Sequence, residues 1–150
     1  MHVVLYQPEI PQNTGSIARL CAATATPLHL VRPLGFEITD KHLKRAGLDY
    51  WPHVDVRMHD SWERFLAQHG GERLLFFSKK AARSYTTARY GEENFLVFGP
   101  ETRGLPEDLL RRNWSNCLRI PMRNPKVRSL NLATAVGIVL YEALRQTDTK

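Results

Sequence analysis

The chain is expected to fold as one α/β domain around a mostly parallel sheet. Short β-branched and aromatic runs alternate with segments of helical periodicity along its whole length, the pattern of strands joined by crossover helices. Its 150 residues suit one hydrophobic core. The 43% hydrophobic and 24% charged content is that of an ordinary globular protein. No repeat, low-complexity tract or linker divides it, so residues 1–150 read as a single domain, with a polar tail over 146–150.

In chain order, residues 3–6 (VVLY) form a first strand, ended by a loop carrying Pro8 and Pro11. Asn13-Thr14-Gly15 opens a helix to about Ala23, with Asn and Thr suited to its cap. Residues 28–31 predict a second strand, and residues 40–46 a short basic helix with Lys41, Lys44 and Arg45. Residues 61–68 predict a helix whose inner face is Trp62, Phe65 and Leu66. Residues 74–77 and 94–98 predict a third and a fourth strand. A helix over 105–112 has proline in its first turn, and 117–120 is a fifth strand. The last helix, about 131–145, carries Leu132, Val136, Ile138, Val139, Leu140 and Leu144 and leaves almost no polar face. A helix apolar all round is buried all round. In so small a domain that predicts packing on a second subunit, a homodimer.

Charge narrows the function. Lys plus Arg number 21 against 15 Asp plus Glu, a net +6, and such a surface attracts polyanions, RNA foremost. Cys21 and Cys117 form no Cys-x-x-Cys and no disulfide framework, which fits a reduced, cytoplasmic setting. The start MHVVLYQPEIPQ has no signal-peptide pattern, and no stretch reaches the ~18 apolar residues of a membrane span. Nucleotide-loop, zinc-protease and serine-hydrolase signatures are missing. His2, His29, His42, His53, His59 and His69 are scattered without metal-ligand spacing, read as surface or loop residues, and no metal is expected.

Three segments can carry chemistry. Asn13-Thr14-Gly15-Ser16-Ile17-Ala18-Arg19 offers a helix start to an anion, with Arg19 in its second turn able to make a bidentate phosphate contact. Alternatively it is a capped helix with a solvated arginine. Residues 95–106 are an apolar strand running into a loop with Gly99, Glu101, Arg103 and Gly104, where glycine admits close backbone approach of a ligand. Residues 120–132 repeat strand, loop and helix, with Arg123, Lys126 and Arg128 in the loop and Ser129 and Asn131 at the helix cap. Each has a plain structural reading as a turn or cap. Together they matter more, because strand-to-helix loops gather at one edge of a parallel sheet.

In this order, Asn-Thr-Gly-x-Ile-x-Arg, Phe-Gly-Pro-Glu-x-x-Gly-Leu-Pro and Ile-Pro-Met…Arg-Ser-Leu-Asn-Leu resemble the three motifs of the SPOUT methyltransferase superfamily. The start VLYQPEIPQNTG and the run KRAGLDYW are similar to its stand-alone tRNA (cytidine(34)-2′-O)-methyltransferase group, over about residues 2–146. The resemblance implies a Rossmann-like sheet with a deep trefoil knot near the C-terminus and a homodimer. It implies S-adenosyl-L-methionine bound by Phe77, Gly99, Gly104, Ile120, Ser129 and Leu130. It implies a catalytic set of Arg19, Asn13, Glu101 and Asn131, with Tyr141 and Arg145 in support. A tRNA anticodon loop would be gripped by Lys41, Lys44, Arg45, Arg123, Lys126 and Arg128, chiefly through phosphates, with Tyr50 and Trp51 as stacking groups. The loop 123–128 is slightly longer and more basic than the family's pattern. Two other readings stay open: the same reaction on another RNA such as ribosomal RNA, and a non-catalytic RNA-binding protein of this fold.

Overall fold

A computed structural model describes residues 1–38, 41 and 48–148. Its elements are β1 (His2–Tyr6), α1 (Pro11–Ala23), β2 (Leu28–Val31), β3 (Val56–His59), α2 (Trp62–His69), β4 (Leu74–Phe77), β5 (Arg83–Ser84), β6 (Phe95–Phe98), α3 (Glu107–Arg112), β7 (Cys117–Arg119) and α4 (Leu132–Thr147). The seven strands form one sheet in the order β3-β2-β1-β6-β4-β7-β5. All its pairings are parallel. Strands β3 and β5 escape a search for apolar runs, and they are the two edges. Val56–His59 carries the exposed Arg57, and Arg83–Ser84 is two residues long.

Strand alternation divides the core into two layers. On one face Val3, Leu5, Leu28, Leu30, Leu75 and Leu96 meet Ile17 and Cys21 of α1 and Val136, Val139, Leu140 and Ala143 of α4. On the other Val4, Val31, Phe76, Phe95 and Val97 meet Phe65 of α2 and Leu110 of α3. Leu66, expected inside with Phe65, is 36% exposed; the inner face of α2 is Phe65 flanked by half-buried Trp62. Ser61 caps α2 by accepting from the Arg64 amide at 3.1 Å. Cys21 and Cys117 are free, buried and on opposite layers. Residue 146, expected to begin a polar tail, lies within α4, where the Gln146 side-chain oxygen accepts from the Tyr90 amide at 3.0 Å. The basic helix expected over 40–46 lies outside the described residues.

Helix α1 begins two residues earlier than the sequence suggests. Pro11 occupies its first turn, where the missing N–H costs nothing. Asn13 and Thr14 are therefore inside the helix and buried, not at its cap. The histidines also depart from expectation. His2, His29 and His59 lie in strands and His69 ends α2. His29 and His59 are buried. Parallel registry sets β2 between β1 and β3 and brings these side chains together on the face covered by α2. Distances in sequence hid what registry joins. His53 is exposed as expected, and His42 lies outside the described residues.

Candidate active site

The carboxyl ends of β4, β6 and β7 open into one cleft of about 650 Å³. That lies within the roughly 300–1,000 Å³ of small-molecule sites and at the sheet edge where ligands of parallel α/β folds bind. Phe77 and Phe98, ending β4 and β6, line it and stack at 4.8 Å with rings 14° apart. Ile120 and Leu130 add apolar wall, and Gly99, Gly104 and Ser129 complete the six residues expected to hold a cofactor.

The two glycines serve different ends. A Cβ on Gly99 would stand 2.3 Å from the Leu105 amide nitrogen and 2.5 Å from the Gly104 carbonyl carbon, so Gly99 lets the loop fold onto itself. Gly104 has φ +69° with open space where a Cβ would point. It serves the left-handed turn.

Three polar side chains from the three sequence segments meet beside the cleft. Asn131 caps α4, its Oδ1 accepting from the Thr134 amide at 3.1 Å. Its Nδ2 donates to Asn13 Oδ1 at 3.0 Å, and Asn13 Nδ2 donates to Glu101 Oε2 at 3.2 Å. Glu101 in turn accepts from the Glu9 and Ile10 amides, each at 2.8 Å. Its carboxylate thus takes up the amides of the cap residue Ile10 and of Glu9 before it, at the entry to α1, where the cap residue itself makes no side-chain hydrogen bond. A second carboxylate runs the other way. Glu9 Oε1 accepts from the Thr102 amide at 2.9 Å and its hydroxyl at 2.7 Å. Those bonds hold the Glu9 carboxyl below its ordinary pKa. The loop before α1 and the loop after β6 are clasped from both sides.

Arg19 is exposed in the third turn of α1 and is not among the residues lining the cleft. Arg123, Lys126 and Arg128 are exposed on the loop before α4, and of these Arg128 reaches the cleft. Lys41 is exposed, whereas Lys44 and Arg45 lie outside the described residues. Trp51 packs partly buried against the core.

Sequence reasoning missed the cleft's second cationic group. Lys79 and Lys80 follow β4 at the same sheet edge. Lys79 Nζ donates to the Arg128 carbonyl at 2.9 Å, and Lys80 pairs with Glu107 at 3.0 Å. A signal exists in the sequence: Ser78-Lys79-Lys80 directly follows an apolar strand, as the loops of the second and third motif segments do. Arg103 and Met122 also line the cleft.

The chain matches the SpoU rRNA Methylase family over residues 1–141. It is 49% identical, over 97% of its length and 95% of the relative's, to the tRNA (cytidine(34)-2'-O)-methyltransferase of Methylovorus glucosotrophus (strain SIP3-4). A solved structure described as giving structural insights into the 2-OH methylation of C/U34 on tRNA is 57% identical and superposes with a TM-score of 0.91, covering 97% of this chain and 94% of that one. The AdoMet-bound rRNA methyltransferase of Sinorhizobium meliloti is 28% identical with a TM-score of 0.85, covering 96% of this chain and 55% of the other. With its sequence and its fold both matching, the chain belongs to the SpoU methylase family.

Proposed function

We propose that this protein methylates the ribose 2′-hydroxyl of the wobble nucleotide of tRNA, cytidine or modified uridine at position 34, using S-adenosyl-L-methionine. The observation that carries the reading is the convergence of all three sequence segments on one cleft, in a chain about half identical over its whole length to a relative bearing that activity in its name.

The cleft suits the cofactor. Phe77, Ile120 and Leu130 offer apolar surface, and the loops 99–104 and 128–131 offer backbone groups. Glu101, an acidic residue of the lining, already has its oxygens engaged by amides. When bound, S-adenosyl-L-methionine would supply the methyl group, its S–CH3 bond breaking to leave the thioether S-adenosyl-L-homocysteine, with the 2′-hydroxyl proton passing to solvent. The protein's part is mostly positioning. A guanidinium is no general base, so the role of Arg19 is to hold the neighbouring phosphate and favour the developing alkoxide. Asn13, Glu101 and Asn131 fix the loops on which the two substrates meet. Arg123, Lys126 and Arg128, with Lys41, Lys44 and Arg45, grip the anticodon loop through its phosphates.

The reading includes a trefoil knot and a homodimer. The knot rests on the motif resemblance and on the match to the SpoU family over residues 1–141. The dimer is supported by α4, whose half-buried Ile138 and 56% exposed Tyr141 continue the apolar surface beyond the protomer's own core. Among the described residues no helix is long and apolar enough to cross a membrane.

Methyl transfer from labelled S-adenosyl-L-methionine to bulk tRNA, followed by nuclease mapping, tests the proposal. Label in a 2′-O-methyl nucleotide at position 34 is expected. Label elsewhere, or on ribosomal RNA alone, overturns the substrate.

A further inference from the structure

Four histidines cluster on the sheet face opposite α1 and α4, an arrangement for which methyl transfer has no use. His29 Nε2 lies 2.9 Å from His2 Nδ1, and His29 Nδ1 lies 2.8 Å from His59 Nε2. His69, from the last turn of α2, closes the group with its ring 5.2 Å from that of His29 and 5.8 Å from that of His59. One nitrogen from each of His29, His59 and His69 falls within 4.8 Å of the others. Phe65 and Phe95 form the surrounding apolar wall.

We propose that His29, His59 and His69 bind a zinc-like divalent transition metal ion, which ties β2, β3 and α2 together. Imidazole nitrogens in a tetrahedral site sit about 2.0–2.1 Å from the metal, hence about 3.4 Å from one another. For the three to meet one ion, the 2.8 Å pair must give up its shared proton, open by roughly half an ångström and tilt both rings off their mutual hydrogen bond, while the wider separations close. The set of three imidazoles and an apolar wall, with no carboxylate among the grouped ligands, suits zinc, copper or nickel and not magnesium or calcium. His29 can coordinate through Nδ1 while its Nε2 keeps His2, the outer partner that a ligating histidine ordinarily retains. Arg57, the cation facing the cluster, is itself paired with Asp55 at 2.8 Å.

The experiment is a titration of untagged, chelator-treated protein with Co²⁺, read by visible absorption and followed by displacement with Zn²⁺. Saturation at one equivalent per chain is expected, with the intense bands of tetrahedral cobalt, loss of those bands on adding one equivalent of Zn²⁺, and a raised melting temperature in Zn²⁺. His69→Gln, at a half-buried position on the end of α2, is expected to retain the parent's circular dichroism and lose the bands. No saturable uptake by the parent overturns the proposal and leaves the cluster a hydrogen-bonded imidazole chain. Unchanged bands in a folded His69→Gln overturn it equally, because the metal would then sit elsewhere. Both readouts are independent of methyl transfer.

Discussion

Glu101 gathers several of the cleft's constraints on one carboxylate, and its replacement separates charge from shape. Its two oxygens accept from the Glu9 amide, the Ile10 amide and Asn13 Nδ2. Glu101→Gln keeps the volume but turns one acceptor into a donor facing donors. Leaving such groups unmet costs about 1–3 kcal/mol. For a domain of this size that is a fall of roughly 2–12 °C in melting temperature, measurable by calorimetry. An unchanged melting temperature would mean that the clasp adds nothing to the fold. Gly99→Ala acts on the same loop by a different route, since its methyl would enter the 2.3 Å space beside the Leu105 amide. The loop must move by about an ångström to restore an ordinary contact, so cofactor affinity is expected to fall at least tenfold in a titration while the sheet persists. Arg19→Ala belongs to the RNA side of the proposed reaction. It is expected to abolish methyl transfer and leave cofactor affinity within about twofold. A parallel loss of cofactor binding would refute that assignment.

Between elements, the reciprocal pair Glu9 to Thr102 and Glu101 to residues 9–10 joins the start of α1 to the loop after β6. Its sign with pH follows from Glu9. The folded carboxyl has a pKa below its ordinary value of 4.5, chiefly through hydrogen bonds from Thr102. Its contribution is therefore complete above about pH 4.5 and is lost as pH falls through the lower, folded value. Glu9→Gln is expected to flatten the acid limb of a melting-temperature profile and to leave its neutral limb parallel to the parent's; an unchanged acid limb would assign that limb to other carboxylates. The same elements show what a sequence discloses. Central strands β1, β2, β4 and β6 are buried runs and could be read directly, as could Asn131 as a cap, whereas Ser61, expected inside α2, turns out to cap it. The motif residues were legible as loop residues at strand ends. Their mutual hydrogen bonds were not, because Asn13 and Asn131 stand 118 residues apart. Edge strands β3 and β5 and the histidine cluster needed parallel registry, which no local pattern carries.

At the scale of the molecule, charge and surface set the expectations. With a net +6, binding to tRNA is expected to weaken steeply with salt. Lys126→Ala with Arg128→Ala should shift the log–log slope by about 0.7 for each phosphate of a single-stranded loop that the protein no longer neutralises. A slope equal to the parent's would remove that loop from the interface. The proposed dimer calls for a sharper choice of residue. Helix α4 spends Val136, Val139, Leu140 and Ala143 on the protomer's own core, each 0% exposed. A charge at Val139 therefore tests the fold: Val139→Glu is expected to unfold the chain, as a buried unpaired carboxylate does. Ile138 is half-buried and Tyr141 is 56% exposed, and these positions face outward from that core. Ile138→Glu combined with Tyr141→Glu leaves the inner stripe intact and puts two charges where a second α4 would pack. Light scattering should then fall from the mass of two chains to that of one, with the far-ultraviolet circular dichroism unchanged. If the parent itself scatters as one chain at micromolar concentration, the outer face of α4 is not a subunit interface and its apolar residues answer to another demand.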